Sequence, residues 1–140
     1  PVCGTYYVQA YTLNMDVLVL SLVSGLAIDT LLMVNNYRDR EQDAVSGKCT
    51  LVVRYGRKFG ENMYLGLGIA ATLLCLWFVN TGRLTLIEFI WAPCVYLCMH
   101  ALTWRKMVKI RSGKGLNRIL GETSRNMLFL GILLAVALAA

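Results

Sequence analysis

Long apolar runs separated by short polar breaks set the pattern of this chain. The first, Val17 to Val34, predicts a helix over about residues 16–34. Nineteen residues of helix cover roughly 28 Å, enough for the hydrocarbon core of a bilayer. Further runs predict spans over about 62–79, 84–102 and 124–140. Met127 to Ala140 is only 14 apolar residues, so the last span is expected to reach back to Ser124. Residues Pro1 to Tyr11 read as the tail of a preceding helix, with tyrosines suited to the interfacial aromatic belt. Pro93 is expected to kink the third span, and the small residues Gly66, Gly68, Ala70 and Ala71 suit close helix packing in the second. The expected fold is all-α: a multi-span transmembrane helical bundle of about four spans plus the tail of an earlier helix.

Composition supports this reading. The chain has 140 residues, of which 57% are hydrophobic and 16% charged. Mean hydropathy is +0.57, well above that of a soluble domain. The net charge of +6 is a topology signal rather than a nucleic-acid footprint. Arg38 to Glu61 holds six basic residues and Thr103 to Asn126 holds seven, with only Arg83 elsewhere. Single-pass spans put both basic connections on one side, and the positive-inside rule makes that side cytoplasmic. The short turn Asn80 to Arg83 then faces the other way.

The candidate chemistry lies just past the first span, in N-N-Y-R-D-R-E-Q-D-A-V-S-G-K-C-T-L from Asn35 to Leu51. Asp39 and Asp43 are four apart, so a helix continuing through them puts both on one face. Two such carboxylates can share Mg²⁺, which prefers one or two carboxylates plus phosphate oxygens. Asn35 and Asn36 add amide oxygens one turn earlier, and Arg38, Arg40, Lys48 and Arg54 add positive charge. The pattern suits a metal-bound diphosphate at a membrane surface. A solvated helix end with i,i+4 pairing is the bland alternative. Ser46-Gly47 is expected to end the helix, and Leu51 to Tyr55 to form a short amphipathic turn over the site. Asp29 lies inside the first span. On a helical wheel it falls within about 60° of Asn36, Arg40 and Asp43, so it is expected to face the bundle interior. G-K-C-T is not a phosphate loop, because Gln42 and Cys49 stand where that motif needs Gly and Ser or Thr.

The run N-N-Y-R-D-R-E-Q-D followed by G-K-C-T-L-V-V-R-Y-G resembles the second aspartate-rich motif of the UbiA superfamily of intramembrane prenyltransferases. The paired Asn and the G-K-x-T-L-x-V-R-x-G pattern most resemble the branch that acts on 1,4-dihydroxy-2-naphthoate in menaquinone synthesis. The likeness continues through L-N-R-I-L-G-E-T-S-R-N-M-L-F near the C-terminus. It implies a Mg²⁺-dependent enzyme of the inner (plasma) membrane with its site facing the cytoplasm. It implies transfer of a polyprenyl group from polyprenyl diphosphate to 1,4-dihydroxy-2-naphthoate, with decarboxylation, giving demethylmenaquinone. It implies metal binding at Asp39 and Asp43, with Lys48 and Arg54 as phosphate contacts and Asn35, Asn36 and Arg38 lining the substrate. G-T-Y-Y-V-Q runs lie near the substrate cavity in that superfamily, which brings in Tyr6 and Tyr7. Its members are longer and carry two aspartate motifs. Residues 1–140 are therefore expected to be the C-terminal part of a single domain, and turnover by this part alone is in doubt.

Other features carry less. Cys3, Cys49, Cys75, Cys94 and Cys98 form no C-x-x-C pair, and most sit in apolar surroundings as small hydrophobes. Cys94, Cys98 and His100 do not have zinc-site spacing. Glu88 reads as interfacial and His100 as structural. Competing functions are a superfamily enzyme with another aromatic acceptor, and a non-enzymatic transporter half or helical scaffold. A CDP-alcohol phosphotransferase would need D-G-x-x-A-R between its aspartates, which is absent.

Overall fold

Residues 2–139 are described by a computed structural model, and among them there is no strand. A short helix α1 (Val2–Ala10) leads into α2 (Met15–Val45), the longest element. Asn14 starts α2 by accepting the Val17 N–H at 2.9 Å, a side-chain cap for one orphan donor. At 1.5 Å per residue its 31 residues extend about 46 Å, against about 30 Å of hydrocarbon core. The helix therefore continues past its apolar part and carries Asn35 to Asp43 beyond it as regular helix. It ends at Ser46, where Gly47 takes φ +76.

Thr50 caps the single-turn helix α3 (Leu51–Tyr55), its hydroxyl accepting from Val53 N at 3.3 Å. Gly56, at φ +86, turns the chain into α4 (Arg57–Leu74). The path continues after Cys75 as α5 (Leu76–Asn80), so one span runs from Arg57 to Asn80. Thr85 and Glu88 form a reciprocal capping box at the start of α6 (Leu86–Phe89). This agrees with an interfacial Glu88. Pro93 sits in a π-helical turn, Ile90–Cys94, where the wider winding absorbs the missing N–H. α7 (Val95–Ile110) and α8 (Leu116–Ala139) complete the chain.

Among the described residues, four helical paths are thus long and apolar enough to cross a membrane. Their boundaries differ from the sequence expectation in one respect. The third span, expected to end near Leu102, continues as helix to Ile110, and α8 starts at Leu116, ahead of the span start expected at Ser124. Arg105, Lys106 and Lys109 are good helix formers, so polarity there marks the end of the apolar span, not of the helix. The last span gains the length that Met127 to Ala140 lacked.

α2 packs against α4 and α8, and α7 closes the group against both of those. Val23, Phe78, Tyr96 and Leu134 anchor one end of the core. Val34, Tyr37, Val52, Tyr64 and Ile119 anchor the other, beneath the polar end of α2. Gly60 allows that second packing, since a Cβ there would meet the Tyr37 ring at 3.1 Å and Val52 at 3.2 Å. Leu18, Leu22, Leu32 and Leu128 are exposed, as lipid-facing residues are.

His100 joins the two halves of the core. Its Nε2 lies 2.8 Å from the Tyr64 carbonyl oxygen, its ring stacks on Tyr64, and Gly68 leaves the space it fills. That is the structural histidine the sequence suggested. Asp29 departs from expectation: its side chain is exposed among the described residues. Further along α2, Arg40 donates from Nε to the Val52 carbonyl of α3.

Candidate functional site

The polar end of α2 borders a cavity of about 450 Å³, closed by Arg57 at the start of α4 and by the turn between α7 and α8. α2 contributes Tyr37 through Gln42, the turn contributes Ser112, Gly113 and Lys114, and the first turn of α8 contributes Asn117. Four cationic side chains (Arg38, Arg40, Arg57, Lys114) face it against two carboxylates, Asp39 and Glu41. The excess positive charge suits a polyanion.

Arg38 and Asp39 organise the wall. Arg38 Nε donates to Asp39 Oδ1 at 2.6 Å and Nη2 donates to Oδ2 at 2.7 Å. Nη2 also donates to Asn35 Oδ1 at 2.8 Å, and Nη1 reaches across to Asn117 Oδ1 at 3.1 Å. That last bond shows that both basic connections lie at one end of the bundle. Arg57 pairs with Glu41, and Arg40 Nε donates to the Val52 carbonyl at 3.3 Å. Tyr37 is buried, with its hydroxyl donating to Glu61 Oε1 at 2.8 Å, and this fixes α2 against α4.

Asp43 lies one turn beyond Asp39 on the same helix, as the spacing predicts. It is buried and turned toward Lys48, whose Nζ is 3.4 Å from Oδ1, while Oδ2 has no hydrogen-bond partner. An orphaned buried carboxylate oxygen one turn from a second carboxylate fits a divalent cation completed by ligand oxygens. Among the described residues, no group of three or more His, Cys, Asp or Glu side chains is placed to hold a metal. Any such ion would depend on oxygens from a ligand or from elsewhere.

Other expected site residues are placed differently. Lys48 is exposed and touches the pair only through Asp43. Arg54 is exposed, with its guanidinium 5.4 Å from the centre of the Tyr55 ring, and does not line the cavity. Asn36 is half-buried and also lies outside the lining. Tyr6 and Tyr7 are not brought to the acidic pair. α1 packs on the opposite end of α2, where the Cys3 thiol lies 3.7 Å from the Val17 carbonyl. Asp39 is about 33 Å further along that helix at 1.5 Å per residue. Leu51 to Tyr55 do not line this cavity; Arg57 and the turn after α7 border it. Arg57, Lys114 and Asn117 had no assigned role in the sequence, although Asn117 falls inside the matching L-N-R-I-L-G stretch.

These features define a multi-pass helical membrane protein with a mixed-charge, anion-suited cavity at one end of its bundle. Comparison with known proteins narrows the class. The chain belongs to the UbiA prenyltransferase family, whose model matches residues 1–130. It is 33% identical over 143 aligned positions to a 1,4-dihydroxy-2-naphthoate octaprenyltransferase of Mycobacterium leprae, covering 98% of this chain and 45% of that protein. The protein of that name from Mycobacterium tuberculosis is also 33% identical, with 99% and 46% covered. The Haemophilus influenzae protein of that name is 39% identical over 72 residues, covering 51% of this chain and 23% of that protein. The chain thus spans less than half the length of the curated relatives it matches. No solved structure matches it significantly.

Proposed function

We propose that this chain is the C-terminal part of an intramembrane enzyme that transfers a polyprenyl group from polyprenyl diphosphate to 1,4-dihydroxy-2-naphthoate, with loss of the acceptor's carboxyl group. The observation that carries the proposal is Asp39 in the wall of a cation-rich cavity at the end of an apolar helix, with the buried Asp43 one helical turn further on and outside that lining. The names of the relatives supply the acceptor.

The residues divide the work by position. Asp39 and Asp43 would hold magnesium, which supplies charge neutralisation on a departing diphosphate. Arg38 orients the Asp39 carboxylate through a two-bond fork. Arg40, Lys114 and, from further off, Lys48 add positive potential where negative charge grows. The apolar flanks of α2 and α8 keep the isoprenoid tail in a lipid-like medium. Excluding water from the polar end protects the allylic cation, or the transition state resembling it, from hydrolysis. The electron-rich ring of the acceptor then attacks the freed carbon. The positive-inside rule supports a cavity that faces the cytoplasm, and the family likeness supports a bundle in the plasma (inner) membrane.

The test is acceptor choice. Membranes carrying the complete protein are given labelled polyprenyl diphosphate, magnesium and either 1,4-dihydroxy-2-naphthoate or another hydroxyarenecarboxylate. Prenylated naphthoquinol lacking the carboxyl group is the expected product. Product only with another acceptor would move the enzyme to a different branch of the family.

A further inference from the structure

The end of the α7–α8 turn, where α8 begins, meets the acidic segment of α2 through residues 79 positions apart in sequence. Asn117 Oδ1 accepts from Arg38 Nη1 at 3.1 Å, on the edge of the guanidinium that the Asp39 fork leaves free. A neutral amide oxygen suits this place. It satisfies one of the two Nη1 N–H groups without a second negative charge to draw Arg38 from Asp39. Lys114, in the same turn, lines the same cavity between two glycines. The other three cavity cations are engaged: Arg38 with Asp39, Arg57 with Glu41, Arg40 with the Val52 carbonyl. Among the described residues, Lys114 makes no ion pair or side-chain hydrogen bond, so its charge is uncompensated.

We propose that the α7–α8 turn is one wall of the diphosphate site: Lys114 takes a phosphate oxygen of the donor, and Asn117 is a positioning residue that holds Arg38 on Asp39. This rests on the prenyl-transfer reading above and adds the residues on the far side of the cavity. Lysine suits the role as a flexible point charge with three donors. Arg38 is less suited to it, because four of its five N–H groups are already held by Asp39, Asn35 and Asn117.

The experiment uses the complete protein, with amounts matched by immunoblot. It measures donor KM and kcat in membranes, and binding of inorganic pyrophosphate with magnesium to the purified protein by calorimetry. Lys114→Ala is expected to raise donor KM about tenfold and weaken pyrophosphate binding by a similar factor, with kcat changed less than about threefold. Lys114→Arg returns both values toward wild type. Asn117→Leu is expected to lower kcat about tenfold with little change in KM, and Asn117→Gln, which keeps a neutral amide oxygen, recovers most of it, whereas Asn117→Asp, which adds a second negative charge beside Arg38, does not. Unchanged KM and pyrophosphate affinity in Lys114→Ala would overturn the proposal, as would equal loss in the Ala and Arg variants. Asp39→Ala in the same membranes separates the two levels. If it abolishes transfer while Lys114→Ala does nothing, only the wall is wrong. If it leaves transfer intact, the prenyl-transfer reading fails first.

Discussion

Arg38 and Asp39 are neighbours in sequence, yet their side chains close a two-bond fork at 2.6 and 2.7 Å. Adjacent helical residues point about 100° apart. The long arginine must therefore wrap sideways, and Asn35 and Asn117 hold it there. The fork requires the planar guanidinium. Arg38→Lys keeps the charge but loses the second bond, and is expected to lower prenyl transfer by about tenfold or more without reducing protein in the membrane. Product formation per unit of immunoblotted protein checks it.

Gly68 and His100 give a packing prediction. A Cβ at residue 68 would overlap the His100 ring, which is wedged between α4 and α7. Gly68→Ala is expected to destabilise the bundle by about 1–3 kcal/mol, seen as a lower unfolding temperature in detergent. Adding His100→Ala should recover part of the loss, since the two residues compete for one space.

Lys106 and Glu122 tie α7 to α8 near the cavity. Lys106 Nζ donates to both Glu122 oxygens, at 2.9 and 2.8 Å, and Arg118 Nε adds a bond at 3.2 Å. Glu122 is nearly buried, while the Lys106 side chain is 49% exposed. Lys106→Met leaves a carboxylate short of its main partner and is expected to cost about 1–2 kcal/mol, less than for a fully buried pair. Lys106→Met with Glu122→Met should cost less than the single change. Thermal unfolding of the two variants gives the comparison.

Much of the architecture was legible in the chain. Apolar runs of the right length marked the spans, and the spacing of Asp39 and Asp43 placed both on one helix. The rest was hidden for physical reasons. Hydropathy reports contact with lipid, not backbone hydrogen bonding, so the apolar runs marked spans shorter than the helices, which continue to Ile110 in α7 and begin at Leu116 in α8. The wheel that put Asp29 on the face of Asn36 and Asp43 had the right angle, but it carries no information about which neighbour covers each level of that face. The bond from Arg38 to Asn117 joins distant parts of the chain and leaves no local periodicity.

Orientation can be checked with a cysteine already present. Cys49 is exposed in the turn after α2, at the end of the bundle that holds the cavity. With the other four cysteines replaced by alanine, a membrane-impermeant maleimide should label it only from the cytoplasmic side. A cysteine placed at Thr81, in the turn before Arg83, should label only from the opposite side.

The acidic pair itself offers the most direct trial. Transfer of labelled polyprenyl chain to 1,4-dihydroxy-2-naphthoate is measured in membranes carrying the complete protein as wild type, Asp39→Ala, Asp43→Ala, and wild type with a magnesium chelator. Both variants and the chelated sample should fall to background, with the protein still in the membrane and magnesium restoring only the chelated wild type. Wild-type rates in either variant, or in chelator, would contradict the account.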